Sequence, residues 1–246
     1  MIDDKKIMGM SVSIIVPAFN EEASITETIE SAICFFNDHN EIDYDIIVCD
    51  DGSTDNTYCM VKDLEKKYKT VKLVKNDRNK GMGAAIKNGV FNSDKDFVYI
   101  HPADNQFDIG YCVEMLRIAD NNDVVIGSRP IKDQTYSKFR IFLSNYQYYL
   151  IKMLLNVNLN YNSGANLYRR EVFKKISLLF NSYVMNIEIV IKASLLKYKI
   201  TSLLVTCRER KYGASKMLNR YIFMRTFFEF TSLFAYITIW RLLKDQ

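Results

Sequence analysis

Only two histidines occur in the chain, and its five cysteines, at positions 34, 49, 59, 112 and 207, include no C-x-x-C pair. That spacing argues against a zinc site and offers no disulfide framework. Several of the cysteines fall in apolar segments, so buried, reduced thiols are expected. No G-x-G-x-x-G follows the first apolar run, which removes the dinucleotide fingerprint and makes a dehydrogenase a poor reading. The first residues, M-I-D-D-K-K-I-M, carry two acids and no apolar h-region, so no signal peptide is expected and a cytoplasmic protein is. Internal repeats, low-complexity tracts and linkers are missing too. A net charge of +4 is too mild to argue for nucleic acid; it supports only a weak preference for anionic ligands or an anionic membrane surface.

What is present is a chain of 246 residues, 48% hydrophobic and 25% charged, enough for a substantial single core. Ser11 to Val16 is a β-branched run closed by Pro17, which cannot donate to a sheet ladder. A helical pattern starts at Ser24, with Ile25, Ile29, Ile33 and Phe36 on one face. Tyr44 to Cys49 reads as a second strand ending in Asp50-Asp51-Gly52-Ser53-Thr54-Asp55, where Asp-Gly marks a turn and Thr54 or Asp55 can cap the next helix. Val71 to Val74 is a third strand, and N-D-R-N-K-G-M-G-A-A leads into another helix. Phe97 to Ile100 is a fourth strand, stopped by His101-Pro102 and followed by an acidic, amide-rich loop holding Asp104, Asn105, Gln106 and Asp108. Asp123 to Ile126 is a fifth, ending in Gly127-Ser128-Arg129.

Strand and helix thus alternate, which predicts an α/β fold with a parallel, doubly wound sheet. Ligands of such sheets bind outside the carboxyl ends of the strands. Asn20, Asp50, Asp51, Arg78 and Asp104 each follow a strand end, so they are expected along one edge. Any of these loops alone reads better as a polar turn; their convergence is what points to a nucleotide site.

Beyond Pro130 the alternation breaks down. Phe139 to Leu155 is helical in length and greasy on most faces. Asn162 to Asn166 is a turn before the short run L-Y-R-R-E-V-F. Asn186 to Leu196 reads as a helix that carries Glu188 among isoleucines, and Ile200 to Thr206 as a last strand. The tail, Met217 to Leu243, is rich in aromatics, among them Phe228, Phe234 and Trp240. Its longest uncharged run, Phe230 to Trp240, is well short of the ~20 residues that span a bilayer. Arg225 and Glu229 form a narrow polar stripe, and Arg208, Arg210, Lys211, Lys216 and Arg220 precede it. Two readings remain: a helix lying in a membrane interface, or one docked on the protein or on a partner subunit. The first is favoured, because a docked helix usually shows one cleaner polar face.

Seven segments in order resemble those of family 2 glycosyltransferases: I-I-V-P-A-F-N-E-E, V-C-D-D-G-S-T-D-N-T, N-K-G-M-G-A-A-I-K-N-G, P-A-D-N-Q, V-V-I-G-S-R, S-G-A-N-L-Y-R-R-E-V-F and R-x-R-x-x-G-A-S-K. They run from residue 14 to 216, and the pattern is most similar to the polyprenyl-phosphate sugar synthases of the dolichol-phosphate mannose synthase group. The resemblance implies a GT-A fold, with a mostly parallel sheet flanked by helices over residues 1–216 and a C-terminal aromatic helix over 217–246.

It further implies a site. Pro17, Ala18, Asn20 and Glu22 would line the nucleotide pocket, and Asp51, with or without Asp50, would read the base. Gly81 and Gly83 would let backbone approach the ligand, with Arg78, Lys80 and Ala103 beside it. The family's loop after strand four carries D-x-D, two carboxylates that hold Mg²⁺ or Mn²⁺ against the diphosphate. Here Pro102 replaces the first acid, so the metal is expected to rest on Asp104 and Gln106, with Asp108 facing the same side in an extended segment. The rival is a metal-independent site neutralised by arginines and lysines. Ser128, Arg129, Arg210 and Lys216 match positions that bind the acceptor phosphate or the diphosphate, and Glu188 matches an acid near the acceptor; Asp104, Glu188 and Arg129 would be catalytic.

The implied reaction is an inverting transfer of a sugar from a nucleotide-diphosphate sugar to a polyprenyl phosphate, by a peripheral protein on the cytoplasmic membrane face held there by its C-terminal helix. A homo-oligomer is compatible with it. Two alternatives stand beside it: transfer to a sugar hydroxyl of a surface glycan, with Glu188 as general base, and a non-catalytic nucleotide-sugar binding protein, motivated by Pro102.

Overall fold

The computed structural model describes residues 7–128, 164–208 and 228–239. The element order is β1 (Ser11–Ala18), α1 (Ile25–Asn37), β2 (Asp43–Asp50), α2 (Thr57–Lys67), β3 (Val71–Lys75), α3 (Met82–Phe91), β4 (Phe97–Ile100), α4 (Gly110–Ala119), β5 (Val124–Ser128), β6 (Asn166–Arg169), α5 (Arg170–Lys175), α6 (Val184–Leu195) and β7 (Ile200–Leu204). A last helix, α7, covers residues 228–239. The greasy segment 139–155 lies outside the described residues.

All seven strands form one sheet in the order β3-β2-β1-β4-β6-β5-β7. β1 pairs in parallel with β2 and β4, β2 with β3, and β5 with β7, whereas β6 runs antiparallel to both β4 and β5. The alternation read from the sequence is borne out through β5, and β6 is the departure from an all-parallel sheet. Two reversals through β6 leave β5 running the same way as β4. The carboxyl ends of six strands therefore share one edge with the amino end of β6.

The strand period of two sorts side chains onto two faces. Val12, Ile14 and Val16 of β1 join Ile46 and Val48 of β2 and the apolar stripes of α1, α2 and α4 on one face. Ile15, Ile47 and Val98 face α3 on the other. Ile100, Val124, Ile126 and Tyr168 continue that second face under α6. Both faces are covered, so β1 and β2 read as near-continuous apolar runs.

The α7 helix adds to the second face. Leu233 and Ile237 are fully buried there, while Phe228, Phe234, Tyr236 and Ile239 stay exposed. The described part of the tail is thus docked on its own chain by one edge and leaves an apolar face outward. Cys49 and Cys112 are buried, as expected; Cys34 and Cys59 are exposed, because they fall on the outer faces of α1 and α2.

Helix α3 lies unusually close to the sheet. A Cβ on Gly89 would stand 2.5 Å from Ile15 Cγ2 and 2.7 Å from Cys49 Sγ. Gly89→Val is expected to push α3 off β1 and β2 and to cost about 1–3 kcal/mol. The check is the urea midpoint at constant m-value.

Candidate active site

The loops at the shared strand edge are joined to one another before any ligand is considered. After β1, Asn20 takes a left-handed backbone conformation with φ of 53°. Its backbone N–H donates to Ser53 Oγ at 3.0 Å, and its side-chain oxygen accepts the Thr54 N–H at 2.8 Å. Glu22 accepts from the backbone N–H and the side-chain amide of Asn56, at 3.0 and 2.9 Å, and its own N–H donates to Asp55 Oδ2 at 3.2 Å. Asn20 and Glu22, expected in the nucleotide pocket, therefore hold the loop after β1 against the loop after β2. Pro17 and Ala18 close β1 directly beneath them, in register with Cys49 and Asp50.

Asp51 does the same for the loop after β3. It is 2% exposed. Its Oδ1 accepts from Asn76 Nδ2 at 2.8 Å and the Lys80 N–H at 3.0 Å, and its Oδ2 accepts the Gly81 N–H at 2.8 Å. Gly81 (φ 101°) stands immediately before α3, so this carboxylate also lies at the positive end of the helix dipole. Gly52 (φ 74°) lacks the Cβ that would stand 2.7 Å from the Arg78 backbone, which allows the two loops to touch. Asp50 turns inward as well, accepting the Ser53 N–H at 3.1 Å. Arg78 and Lys80 are exposed at the mouth, and Lys80 pairs with Asp77 at 2.5 Å. Asn76, which bridges Asp51 to Asn88, was not singled out by the sequence, where it is one amide in a polar run.

The loop after β4 completes the edge. Thr28 of α1 donates to the Ala103 carbonyl at 3.0 Å and Asn105 to Glu27 at 3.1 Å, so α1 supports it from below. Asp104 and Gln106 are partly exposed, and the Gln106 N–H donates to Asp104 Oδ1 at 3.3 Å. The extended geometry expected through Asp108 is not found. Asn105 has φ of 53°, which breaks the alternation. Asp108 instead accepts the Gly110 N–H at 2.9 Å, at the start of α4, and pairs with Arg208 at 2.5 Å. Gln106 and Arg208 are joined through backbone as well, Arg208 N–H to Gln106 oxygen at 2.8 Å.

Among the described residues no group of three His, Cys, Asp or Glu side chains converges. The donor set at the mouth is one carboxylate and one amide oxygen. All-oxygen ligation suits Mg²⁺ or Mn²⁺ when the diphosphate supplies the rest, so the residues fit a cation held mainly by its substrate. Ser128 ends β5 at the same edge and is buried. Arg129, Arg210 and Lys216 lie outside the described residues.

Glu188 is fully buried in α6. Its Oε1 accepts from the Leu179 N–H at 2.8 Å and from Lys192 Nζ at 2.6 Å, and its Oε2 accepts the Phe180 N–H at 3.1 Å. Its apolar neighbours in sequence pointed to burial; the donors that meet it there come from a loop that the sequence did not single out.

His101 is the other buried ionisable group near the site. Its ring lies 5.9 Å from that of Tyr99, and Nδ1 has no partner in a site closed to solvent. Burial pulls its pKa down to about 4, against the opposing pull of the Asp104 and Asp108 charges.

The model of glycosyl transferase family 2 matches residues 13–177. A dolichyl-phosphate beta-glucosyltransferase of Dictyostelium discoideum is 28% identical over 229 residues, covering 85% of this chain and 70% of its own. A dolichol-phosphate mannosyltransferase of Pyrococcus furiosus is 28% identical over 225 residues, covering 87% of this chain and 61% of its own. Among solved structures, glucosyl-3-phosphoglycerate synthase from Mycobacterium tuberculosis, in complex with phosphoglyceric acid, aligns with a TM-score of 0.67 at 19% identity over 87% of this chain and 77% of that one. A mannosyltransferase from Pyrobaculum calidifontis in complex with GDP-Man and Mn²⁺ aligns at 0.62 and 15% identity, over 84% and 59%. These likenesses establish the GT-A fold.

The buried imidazole makes a pH test available. Its pKa in the unfolded chain is about 6.5, so between roughly pH 6.5 and 4 the unfolded state binds the proton and the folded state does not. Stability falls as pH drops through that window, by at most on the order of 3 kcal/mol from this group. His101→Gln is expected to flatten this part of the acid limb, read as the difference in urea midpoint between pH 7 and pH 4.5.

Proposed function

The chain belongs to glycosyl transferase family 2, and we propose that it moves a sugar, with inversion, from a nucleotide-diphosphate sugar to a polyprenyl phosphate at the cytoplasmic face of a membrane. One observation carries the choice of acceptor. A sugar hydroxyl must lose its proton in the transfer and needs a general base. Glu188, the acid that would serve, has no exposed surface and already receives two backbone N–H groups and an ammonium. A phosphate monoester, with a second pKa of about 6, arrives ionised and needs no base. The names of the two dolichol-linked relatives support the same acceptor class.

In this reading the donor's nucleoside lies against the joined loops after β1, β2 and β3. Asp51 occupies the amino end of α3, so the diphosphate is met elsewhere, at the mouth beside Asp104, Gln106, Arg78 and Lys80. A divalent cation bound there would neutralise charge on the diphosphate as the glycosidic bond breaks; Asp104 and Gln106 are the residues that would hold it. An oxygen of the acceptor phosphate attacks the anomeric carbon from the face opposite the leaving group. The new C–O bond forms as the bond to the diphosphate breaks, and the nucleoside diphosphate leaves with the electron pair. The protein's part is to position both anions and to oppose their repulsion; Ser128, Arg129, Arg210 and Lys216 are assigned to the acceptor side.

Residues 217–246 serve as the membrane-facing piece. No helix among the described residues is long and apolar enough to cross a bilayer. The outward face of α7, with Phe228 at 60% and Ile239 at 58% exposed, suits the interface instead.

A panel of labelled nucleotide sugars, presented with polyprenyl phosphate in vesicles and Mg²⁺ or Mn²⁺, is expected to give a lipid-linked sugar with one donor. No transfer across the whole panel would sink the proposal. Asp104→Asn is expected to lower turnover by about 10²-fold or more, and a chelator to abolish it reversibly. Phe228→Ser with Ile239→Ser is expected to reduce flotation with anionic vesicles while the melting temperature holds.

A further inference from the structure

The loop over residues 177–183 is gripped from three directions. From below, Glu188 holds the Leu179 and Phe180 N–H groups, and Lys192 Nζ donates to the Ser177 carbonyl at 2.5 Å. From one side, the first two turns of α3 are fastened to it. The Gly83 N–H donates to the Asn181 carbonyl at 2.8 Å, and Lys87 Nζ donates to Asn181 Oδ1 at 2.8 Å. Gly83 makes this approach possible, since a Cβ there would stand 2.7 Å from the Asn181 carbonyl carbon. From the other side, Ser182 Oγ donates to the Glu229 carboxylate of α7 and accepts the Val184 N–H at 3.1 Å. Lys192 Nζ lies 4.9 Å from the centre of the Tyr236 ring, a second link to the same helix.

A buried ion pair such as Glu188–Lys192 adds little net stability, because its desolvation offsets its Coulomb energy. What it supplies here is a fixed position for two backbone N–H groups and one carbonyl of an otherwise irregular loop. The other end of the connection is the donor loop. Gly81, two residues before Gly83, donates to Asp51. Three hydrogen bonds, Ser182 to Glu229, Gly83 to Asn181 and Gly81 to Asp51, joined by the chain itself at 181–182 and 81–83, thus connect α7 to the Asp51 carboxylate.

We propose that loop 177–183 is a positioning bridge, with Glu188 as its anchor and Asn181 as its contact, that couples the C-terminal helix to the nucleotide-donor loop. This rests on reading that loop as part of a nucleotide-sugar site. Engagement of α7 by a surface then tightens Gly81 to Gly83, and by linkage a bound nucleotide steadies α7 to the same degree. Glu188 is a positioning residue, not a base.

The test uses the full chain as wild type, Glu229→Ala, and the double variant Glu188→Met with Lys192→Met, which replaces the buried pair by apolar groups. Amide hydrogen exchange is followed by mass spectrometry over residues 80–86 and 177–183, and UDP and GDP binding by calorimetry. Both variants are expected to exchange about five- to tenfold faster in both segments, with β2 and α1 unchanged. Nucleotide dissociation constants are expected to rise several-fold, and donor KM with them, while kcat and its pH profile keep their wild-type form. Glu229→Ala carries the test alone if the double variant does not fold. Unchanged exchange over 80–86, with or without faster exchange over 177–183, overturns the bridge. Should the wild type bind neither nucleotide, the donor reading fails, and exchange alone still decides the coupling. A pH profile that loses its acid limb in the double variant also overturns it, by returning Glu188 to the role of base.

Discussion

The Asp51 carboxylate is the interaction around which the ligand edge is built. It gathers N–H donors from Asn76, Lys80 and Gly81, all of which follow β3, while its own N–H is held by Ala18 at the end of β1. Three strand exits are thereby fixed to one residue, two of them through its carboxylate and its place at the end of β2 and the third through its backbone N–H. Each hydrogen bond to an ionised acceptor contributes roughly 1.5–3 kcal/mol, and burial keeps water from competing. The loops after β1, β2 and β3 are consequently one body, in which Gly52 and Gly81 supply the backbone conformations that closeness requires.

A second buried carboxylate, Glu188, does for the far side of α3 what Asp51 does for the near side. One orders the residues just before α3 and the other orders the loop against its first turn. Both acids stand where a reading by residue type would place reactive groups, and both accept backbone N–H groups from neighbouring loops. Asp104, Arg78 and Lys80 keep solvent-facing charge along the same edge. That suits the proposed reaction between two anions, in which alignment and neutralisation matter more than proton transfer.

Much of this was legible in the chain. The runs Ser11–Val16, Tyr44–Cys49, Val71–Val74 and Phe97–Ile100 fall within β1 to β4, and the expected edge at Asn20, Asp50, Asp51, Arg78 and Asp104 is where the structure puts them. β6 was not legible as an antiparallel strand. It is only four residues long and passes straight into α5 at Arg170, so no alternation is long enough to reveal direction, and pairing with β4 and β5 decides it. Asp108 was misplaced for a related reason. Whether a loop is extended depends on one backbone angle at Asn105, which an amide tolerates and does not announce.

The sequence by itself determined the class of fold, the family, and the set of polar residues that can reach the ligand edge. The fold class and the polar set follow from strand and helix periodicity and from chain direction, which are local properties; the family follows from the resemblance of seven segments in order. Only the tertiary structure decided which of those residues face a ligand and which face one another. Asp51 meets Lys80 and Gly81, Glu22 meets Asn56, Asp108 meets Arg208, and Ser182 meets Glu229. A carboxylate's role is set by the donors around it, and here those donors arrive from segments up to a hundred residues away, a distance over which no local pattern carries information.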